Sequence, residues 1–214
     1  MALTFEITVT LDGFVTGPDP NLEQPLGAGG EALHEWIFGL RSWRERHGRE
    51  GGTAGPDSDL VAESLARTGA VIMGRRMFTG GEGPWEDDPN RDSWFGDDPP
   101  FRVPVFILTH HPREPEIKQG GTTYTFVTDG IEAALEQARA AAGDKDVAIA
   151  GGPNVMQQYL RAGLLDELEL HVVPLLMGDG VRLFDGLGPD LPKLERTRVL
   201  EGDAVAHLRY RVVR

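Results

Sequence analysis

The sequence predicts an α/β protein: three layers, with a mostly parallel central sheet, helices on both of its faces and an antiparallel hairpin at the C-terminus. Three observations predict it. Short apolar runs (Ala70-Val71-Ile72-Met73, Val103-Pro104-Val105-Phe106-Ile107-Leu108 and Val147-Ala148-Ile149-Ala150) have the composition of strands covered on both faces. Segments with apolar residues at helical spacing lie between them. After residue 173 the helical spacing stops, and stretches 194–200 and 204–213 read as two strands turning at Gly202-Asp203. With 214 residues there is enough chain for one sizeable core, so 1–214 is read as a single domain without internal repeat or linker.

The elements follow in order. Residues 2–10 carry β-branched residues (Thr4, Ile7, Thr8, Val9, Thr10) and open the sheet. A Gly/Pro-rich loop spans 11–30. Leu33, Trp36, Ile37, Leu40 and Trp43 then recur at helical spacing, which predicts an amphipathic helix over 31–47. Gly-rich residues 48–56 end it, and 57–67 is a second helix with Asp57 or Ser58 as its cap. Strand 70–73 leads to a long acidic loop, 79–102, expected to be solvated. Strands 103–108 and 122–128 follow, then a helix over 130–142 opened by a capping-box-like pair, Asp129 and Glu132. Strand 147–150 ends at Gly151-Gly152, and Pro153 suits the first position of a helix over 153–162. Residues 166–173 alternate, Leu168, Leu170 and Val172 against Glu167, Glu169 and His171, as a half-exposed strand.

Composition narrows the function. The formal charge is −13, from 34 acidic against 21 basic residues. A surface of that sign repels phosphodiester backbones and anionic lipid, so neither nucleic acid nor a membrane surface is an expected partner. The chain has no cysteine, which removes disulfides, thiolate metal sites and a Cys nucleophile. Met1-Ala2-Leu3-Thr4-Phe5-Glu6 lacks the basic start and apolar stretch of a signal peptide, and no run approaches the roughly 18 apolar residues of a membrane span. The expected location is the cytoplasm.

Three strand ends carry residues suited to phosphate. At Gly151-Gly152-Pro153-Asn154-Val155 a strand runs through two glycines straight into a helix, whose N-terminal amides and partial positive charge attract anions. The same two glycines would also serve a plain tight turn, and spacing alone does not separate the readings. Gly74-Arg75-Arg76 places two guanidinium groups after a buried strand, either as a phosphate clamp or as a solvated pair. Thr109-His110-His111 puts a hydroxyl and an imidazole at a third strand end. Neighbouring His residues on extended chain point opposite ways, so no metal is expected there. The acidic loop lacks the alternating ladder of a calcium loop, and its Trp85 and Trp94 could instead cover a ligand. Gly27-Ala28-Gly29-Gly30-Glu31-Ala32 matches G-x-G-x-x-A formally, but Pro25-Leu26 before it is no strand, so it is rejected as a dinucleotide fingerprint.

Taken in order, these pieces resemble the dihydrofolate-reductase-like family, in the branch related to the reductase domain of riboflavin biosynthesis. The resemblance rests on Leu11-Asp12-Gly13-Phe14-Val15, Gly74-Arg75-Arg76, Val105-Phe106-Ile107-Leu108-Thr109, Ile149 through Val155, and Gly163-Leu164-Leu165-Asp166-Glu167-Leu168 leading to Pro174 through Phe184. It implies an NADPH site in which Gly74, Arg75 and Arg76 meet the cofactor phosphates. Thr109 and His110 would hold the 2′-phosphate, and Gly151, Gly152, Asn154 and Val155 form the pyrophosphate turn. The implied chemistry is hydride transfer to a C=N or C=O bond of a small heterocyclic or sugar-linked substrate, such as 5-amino-6-(5-phosphoribosylamino)uracil. Asp12 is the candidate for proton delivery or substrate polarisation, with an Asp-Gly turn as its plain alternative. Asp179 and Trp85 are candidates for substrate contact. Glu31 and Glu35 lie near the position of the folate reductases' carboxylate, but the Gly-rich insertion blurs the register. Two other readings stand beside this one: a non-catalytic nucleotide-binding sensor on the same fold, and a flavodoxin-like FMN binder, which would be yellow. The resemblance also implies a homodimer, through 166–173 or the C-terminal hairpin.

Overall fold

The computed structural model describes residues 1–213. In chain order the elements are β1 (Leu3–Thr10), β2 (Phe14–Thr16), a 3-10 turn (Gly30–His34), α1 (Glu35–Phe38), α2 (Arg41–Arg46), α3 (Pro56–Arg67), β3 (Thr68–Gly74) and α4 (Arg75–Thr79). Then come a 3-10 turn (Trp85–Asp87), β4 (Pro104–Leu108), β5 (Glu116–Ile117), a further 3-10 turn (Gln119–Gly121), β6 (Thr123–Val127), α5 (Ile131–Ala142), β7 (Asp146–Gly151) and α6 (Pro153–Arg161). The chain continues with β8 (Glu167–Val173), β9 (Val181–Arg182), β10 (Lys193–Glu201) and β11 (Ala206–Val213). The architecture is α/β, mostly parallel, with an antiparallel C-terminal pair. Contacts divide it into two compact units: unit 1 is Met1–Phe5 with Thr68–Leu165, and unit 2 is Glu6–Arg67 with the chain from Asp166 onward.

Unit 1 has strand order β1-β7-β3-β4-β6-β5. Its pairings are parallel except the last, where β5 runs antiparallel to β6. The interior strands are apolar on both faces because both faces are covered. On one, Val71, Met73, Phe78, Val105, Ile107 and Tyr124 form a buried cluster. Helix α5 packs on β3, β4 and β7, and its buried stripe of Ala134, Leu135, Ala138 and Ala142 is small enough for close approach. The expected Asp129/Glu132 capping box is absent: Gly130 caps α5 at φ 93° with no side-chain bond, because this backbone angle belongs to glycine. The acidic segment is also less free than its composition suggests. Trp94 Nε1 donates to the Met77 carbonyl at 3.0 Å and Trp85 Nε1 to the His111 carbonyl at 2.9 Å, while Trp85, Phe95 and Phe101 pack against the core.

Unit 2 has strand order β10-β11-β8-β1, with antiparallel β10–β11 and β11–β8 pairs, and a separate antiparallel β2–β9 ribbon. The helix expected over 31–47 is broken into a 3-10 turn, α1 and α2. The break has a definite cause: Thr53 N–H donates to the Gly39 carbonyl and Arg41 N–H to the Thr53 carbonyl, both at 2.9 Å, so a loop takes the bonds a continuous helix would use. Strand β8 also departs from the expected pattern. Glu169 and His171, on its polar side, are buried, whereas Leu170 and Val172 are only half-buried. Their partners stand on β11, Arg209 for Glu169 and His207 for His171, and helix α3 adds a second layer over that side: Glu63 to Arg209, Arg67 to Glu167 and Asp57 to His207. Asp57 is therefore occupied across the sheet, and Ser58 Oγ accepts the Ser42 N–H.

Candidate nucleotide site

The three sequence signals converge within unit 1. Strand β3 lies between β7 and β4, with Met73 opposite Gly151 and Gly74 opposite Leu108. All three strands run parallel, so Gly151-Gly152, Gly74-Arg75-Arg76 and Thr109-His110 leave the same edge of one sheet. In open α/β sheets this edge is where ligands bind. Two of the loops touch. A Cβ built on Gly74 would come within 2.9 Å of Val155 Cγ2, and one on Gly151 within 2.9 Å of Met77 Sδ. Any side chain at either position would push the segments apart.

At the start of α6, Gly152 is the N-cap at φ +33°, ψ 146°, a conformation that side-chain-bearing residues rarely take. A Cβ there would meet nothing within 4 Å, so the turn faces open space. No side chain caps the helix, and Pro153 at its first position has no N–H to satisfy. Asn154 turns its Oδ1 away to accept from Gln158 Nε2 at 2.6 Å. The first-turn amides of Asn154 and Val155 thus lack a side-chain acceptor, which suits an anion.

The two arginines have different surroundings. Arg75 is buried; its Nη2 donates to Asp88 Oδ2 at 2.5 Å and its guanidinium lies 3.7 Å from the centre of the Trp85 ring. Its Nε and Nη1 are buried without a partner. Burial pushes the Asp88 carboxyl up, but bonds from Thr79, the Asn90 amide and Arg75 outweigh it and hold the group below the usual range. Arg76 is exposed, with 72% of its side chain accessible, and pairs with the equally exposed Glu82 at 2.5 Å. Thr109 is buried and its Oγ1 accepts the His111 N–H at 3.1 Å, while His110 is exposed. Trp85 is half-buried between Arg75, Arg113, Phe78 and Phe126.

Asp12 and Asp179 belong to unit 2. Asp12 accepts from the Thr10 hydroxyl at 2.6 Å and from the amides of Met177 (3.1 Å) and Gly178 (2.8 Å), and Arg182 Nη1 donates to its carbonyl at 2.7 Å. The Thr10 bond, aided by the two amides, holds this carboxyl down at about 2. Asp179 is exposed and its Oδ1 accepts the Gly180 N–H at 2.7 Å. Asp88, the anion that holds Arg75, escaped the sequence reading because nothing in the acidic segment marks one carboxylate as buried.

The family model of the RibD C-terminal domain matches residues 2–208. The chain belongs to this family. Among solved structures, a protein from Shewanella sp. PV-4 provisionally assigned to riboflavin biosynthesis is 21% identical, with all of both chains covered and a TM-score of 0.63. A diaminohydroxyphosphoribosylaminopyrimidine deaminase/5-amino-6-(5-phosphoribosylamino)uracil reductase from Thermotoga maritima is 16% identical with a TM-score of 0.59; the match covers 99% of this chain and 56% of that one. The riboflavin biosynthesis reductase Rib7 of Saccharomyces cerevisiae is 14% identical, with 100% and 89% covered and a TM-score of 0.50. At such identities the likeness establishes the RibD C-terminal domain fold. No curated protein matches the sequence.

Proposed function

We propose that this RibD C-terminal domain protein is an NADPH-dependent reductase acting on a C=N or C=O bond of a small heterocyclic or sugar-linked substrate, in the manner of 5-amino-6-(5-phosphoribosylamino)uracil reductases. The observation that carries the reading is the contact between the Gly151-Gly152 turn and the Gly74-Arg75-Arg76 segment on one sheet edge. The amides of Asn154 and Val155 would receive the pyrophosphate. Arg76 and His110, both exposed, would meet the remaining phosphate, Arg76 exchanging Glu82 for it. Arg75 and Thr109 would hold the loops in shape, with Trp85 as the platform on which Arg75 rests. When bound, the nicotinamide supplies the hydride.

Asp12 is assigned the part of an ionised acceptor that fixes Met177 and Gly178 and polarises a substrate N–H, with Asp179 as a further substrate contact. A carboxyl held near 2 is a poor proton donor at neutral pH, so the proton would come from water or from the substrate's own ionisation. That same observation favours the second reading, a nucleotide-binding protein without turnover.

The protein is further proposed to work as a cytoplasmic homodimer. The outer side of the unit 2 sheet aligns Leu170, Val172, Leu208 and Val199, with Leu194 opposite Val212, and leaves Val199 57% exposed. Such an apolar stripe is suited to a second copy of itself.

The test titrates NADPH and NADH separately, following the four tryptophans. NADPH should bind at least about tenfold tighter, a difference of about 1.4 kcal/mol, and Arg76→Ala should remove most of it. Gly152→Val should abolish binding of both. Equal affinities, or an unaffected Gly152→Val, would end the assignment. Binding without oxidation by any pterin, pyrimidine or imine would leave the sensor reading.

A further inference from the structure

Unit 2 buries a chain of three titratable side chains that the proposed chemistry does not use. Asp57 on α3, His207 on β11 and His171 on β8 are all less than a tenth exposed. The antiparallel register sets the two rings opposite each other. His207 Nε2 lies 2.8 Å from Asp57 Oδ1, and His207 Nδ1 lies 2.8 Å from His171 Nδ1. Trp36 packs on both rings, with centroids 5.2 and 5.4 Å away, and its Nε1 donates to Thr8 Oγ1 at 3.1 Å. Asp57 Oδ2 accepts the Asp203 N–H at 3.3 Å, so the same carboxylate holds the turn of the C-terminal hairpin.

The charges around the chain come from every element packed on it. On the same sheet side Arg209 pairs with Glu169 at 2.8 Å and with Glu63 of α3 at 3.0 Å, and Arg198 of β10 also reaches Glu63. Arg67 at the end of α3 lies 3.0 Å from Glu167 and 3.8 Å from Glu6 of β1. Asp57 is the carboxylate that meets an imidazole.

These distances determine where the protons sit. A carboxylate only accepts, so His207 carries its proton at Nε2. A neutral His207 then offers a lone pair at Nδ1, and His171 must donate from its own Nδ1, leaving its Nε2 as the unprotonated end of the chain. One further proton can enter without loss of a bond. An N–H forms at His171 Nε2, the Nδ1 proton of His171 passes to His207 Nδ1, and the positive charge rests on His207 beside Asp57. The bond between the rings survives with its direction reversed. A second proton has no such route, since it sets N–H against N–H at the same 2.8 Å and makes two adjacent cations. Burial, then the charges of His207 and Arg209, hold the His171 imidazole down at about 3.

We propose that Asp57, His207 and His171 form a one-proton relay that takes up a single proton by reversing the ring-to-ring hydrogen bond, and that a second proton opens it as an acid-sensitive latch. Its output is Trp36, which packs together with Leu175 and Met177 on the cluster of Leu33, Val173 and Val205. Opening the ring pair removes the surface against which Trp36 is seated, and so loosens the segment that presents the Met177 amide to Asp12.

The experiment is side-chain nitrogen NMR on the full 15N-labelled chain without cofactor, so its outcome is independent of the reductase proposal. At neutral pH one ring should be an Nδ1–H tautomer, the minority form of free imidazole, with a through-hydrogen-bond N–N coupling to a second ring that is Nε2–H. As pH falls the pair should first take up one proton in total with the coupling retained, where two unlinked rings would take up two. At lower pH the coupling and the Trp36 indole N–H signal should be lost together. Asp57→Asn keeps an acceptor oxygen but removes the charge, so this first uptake should fall from one proton towards none. Two Nε2–H rings at neutral pH, absence of the coupling, or unchanged uptake in Asp57→Asn would each overturn the relay. The wild-type spectrum decides the matter even if the variant does not fold.

Discussion

Replacing Asp88 with alanine should destabilise the protein far more than removing any surface carboxylate, because Asp88 is the counter-ion of a buried arginine. The Arg75–Asp88 pair is 7% and 3% exposed, and Asp88 also accepts from the Thr79 hydroxyl (2.6 Å) and the Asn90 amide (2.9 Å). Its loss strands the guanidinium in low dielectric with Nε and Nη1 already unpartnered. Removing one member of a buried pair costs about 3–5 kcal/mol. The Trp85 face, present in both proteins, does not offset this. For a chain of this size each kcal/mol lowers Tm by roughly 2–4 °C, so Asp88→Ala should lose roughly 6–20 °C. Glu82→Ala, which removes the exposed partner of Arg76, is the control and should stay within about 0.5 kcal/mol. Replacing both Arg75 and Asp88 with apolar residues should recover much of the loss. The sign of the pH effect follows from the lowered Asp88 carboxyl. Its contribution is present above the unfolded value of about 3.9 and is lost as pH falls through the folded one, so Asp88→Ala should flatten the acid side of the stability curve. Calorimetry with the two single variants decides it: equal Tm shifts for Asp88→Ala and Glu82→Ala would refute the reasoning.

Two more outcomes follow from the geometry. With Asp12 held near 2, kcat/KM should show no acidic limb from this group above about pH 4, and Asp12→Asn should lower kcat/KM by about tenfold without introducing one. An acidic limb at about pH 5–6 that vanishes in Asp12→Asn would instead make Asp12 the proton donor. Light scattering should give twice the 23.4 kDa chain mass, and Val199→Glu with Leu208→Glu should halve it; a wild-type monomer would remove the interface.

Most strands, and helices α3, α5 and α6, were readable because their signals are local, whereas the short α4 after Gly74 was not. Apolar runs mark covered strands, and Pro153 after two glycines marks a helix start. The misreadings share one origin. The helix over 31–47 carries the right spacing, yet Thr53 takes its hydrogen bonds at Gly39 and Arg41. The alternation of β8 pointed Leu170 and Val172 inward, yet β11 sets Arg209 against Glu169 and His207 against His171, and these pairings let the polar side be buried instead. Composition made residues 79–102 look solvated, yet two indole N–H groups find main-chain carbonyls and stitch the segment down.

What the sequence alone determined is where the central strands end, at Gly74, before Thr109 and at Gly151-Gly152, because strand ends and helix onset depend on neighbours within a few residues. Only the tertiary structure decided which arginine is buried and which is exposed, since Arg75 and Arg76 are adjacent and alike until Asp88 and Trp85 fold over one of them. Only it brought Asp57 to His207, 150 positions away. Pairing energies of ionisable groups depend on burial and distance in space, and neither quantity is written in the order of the residues.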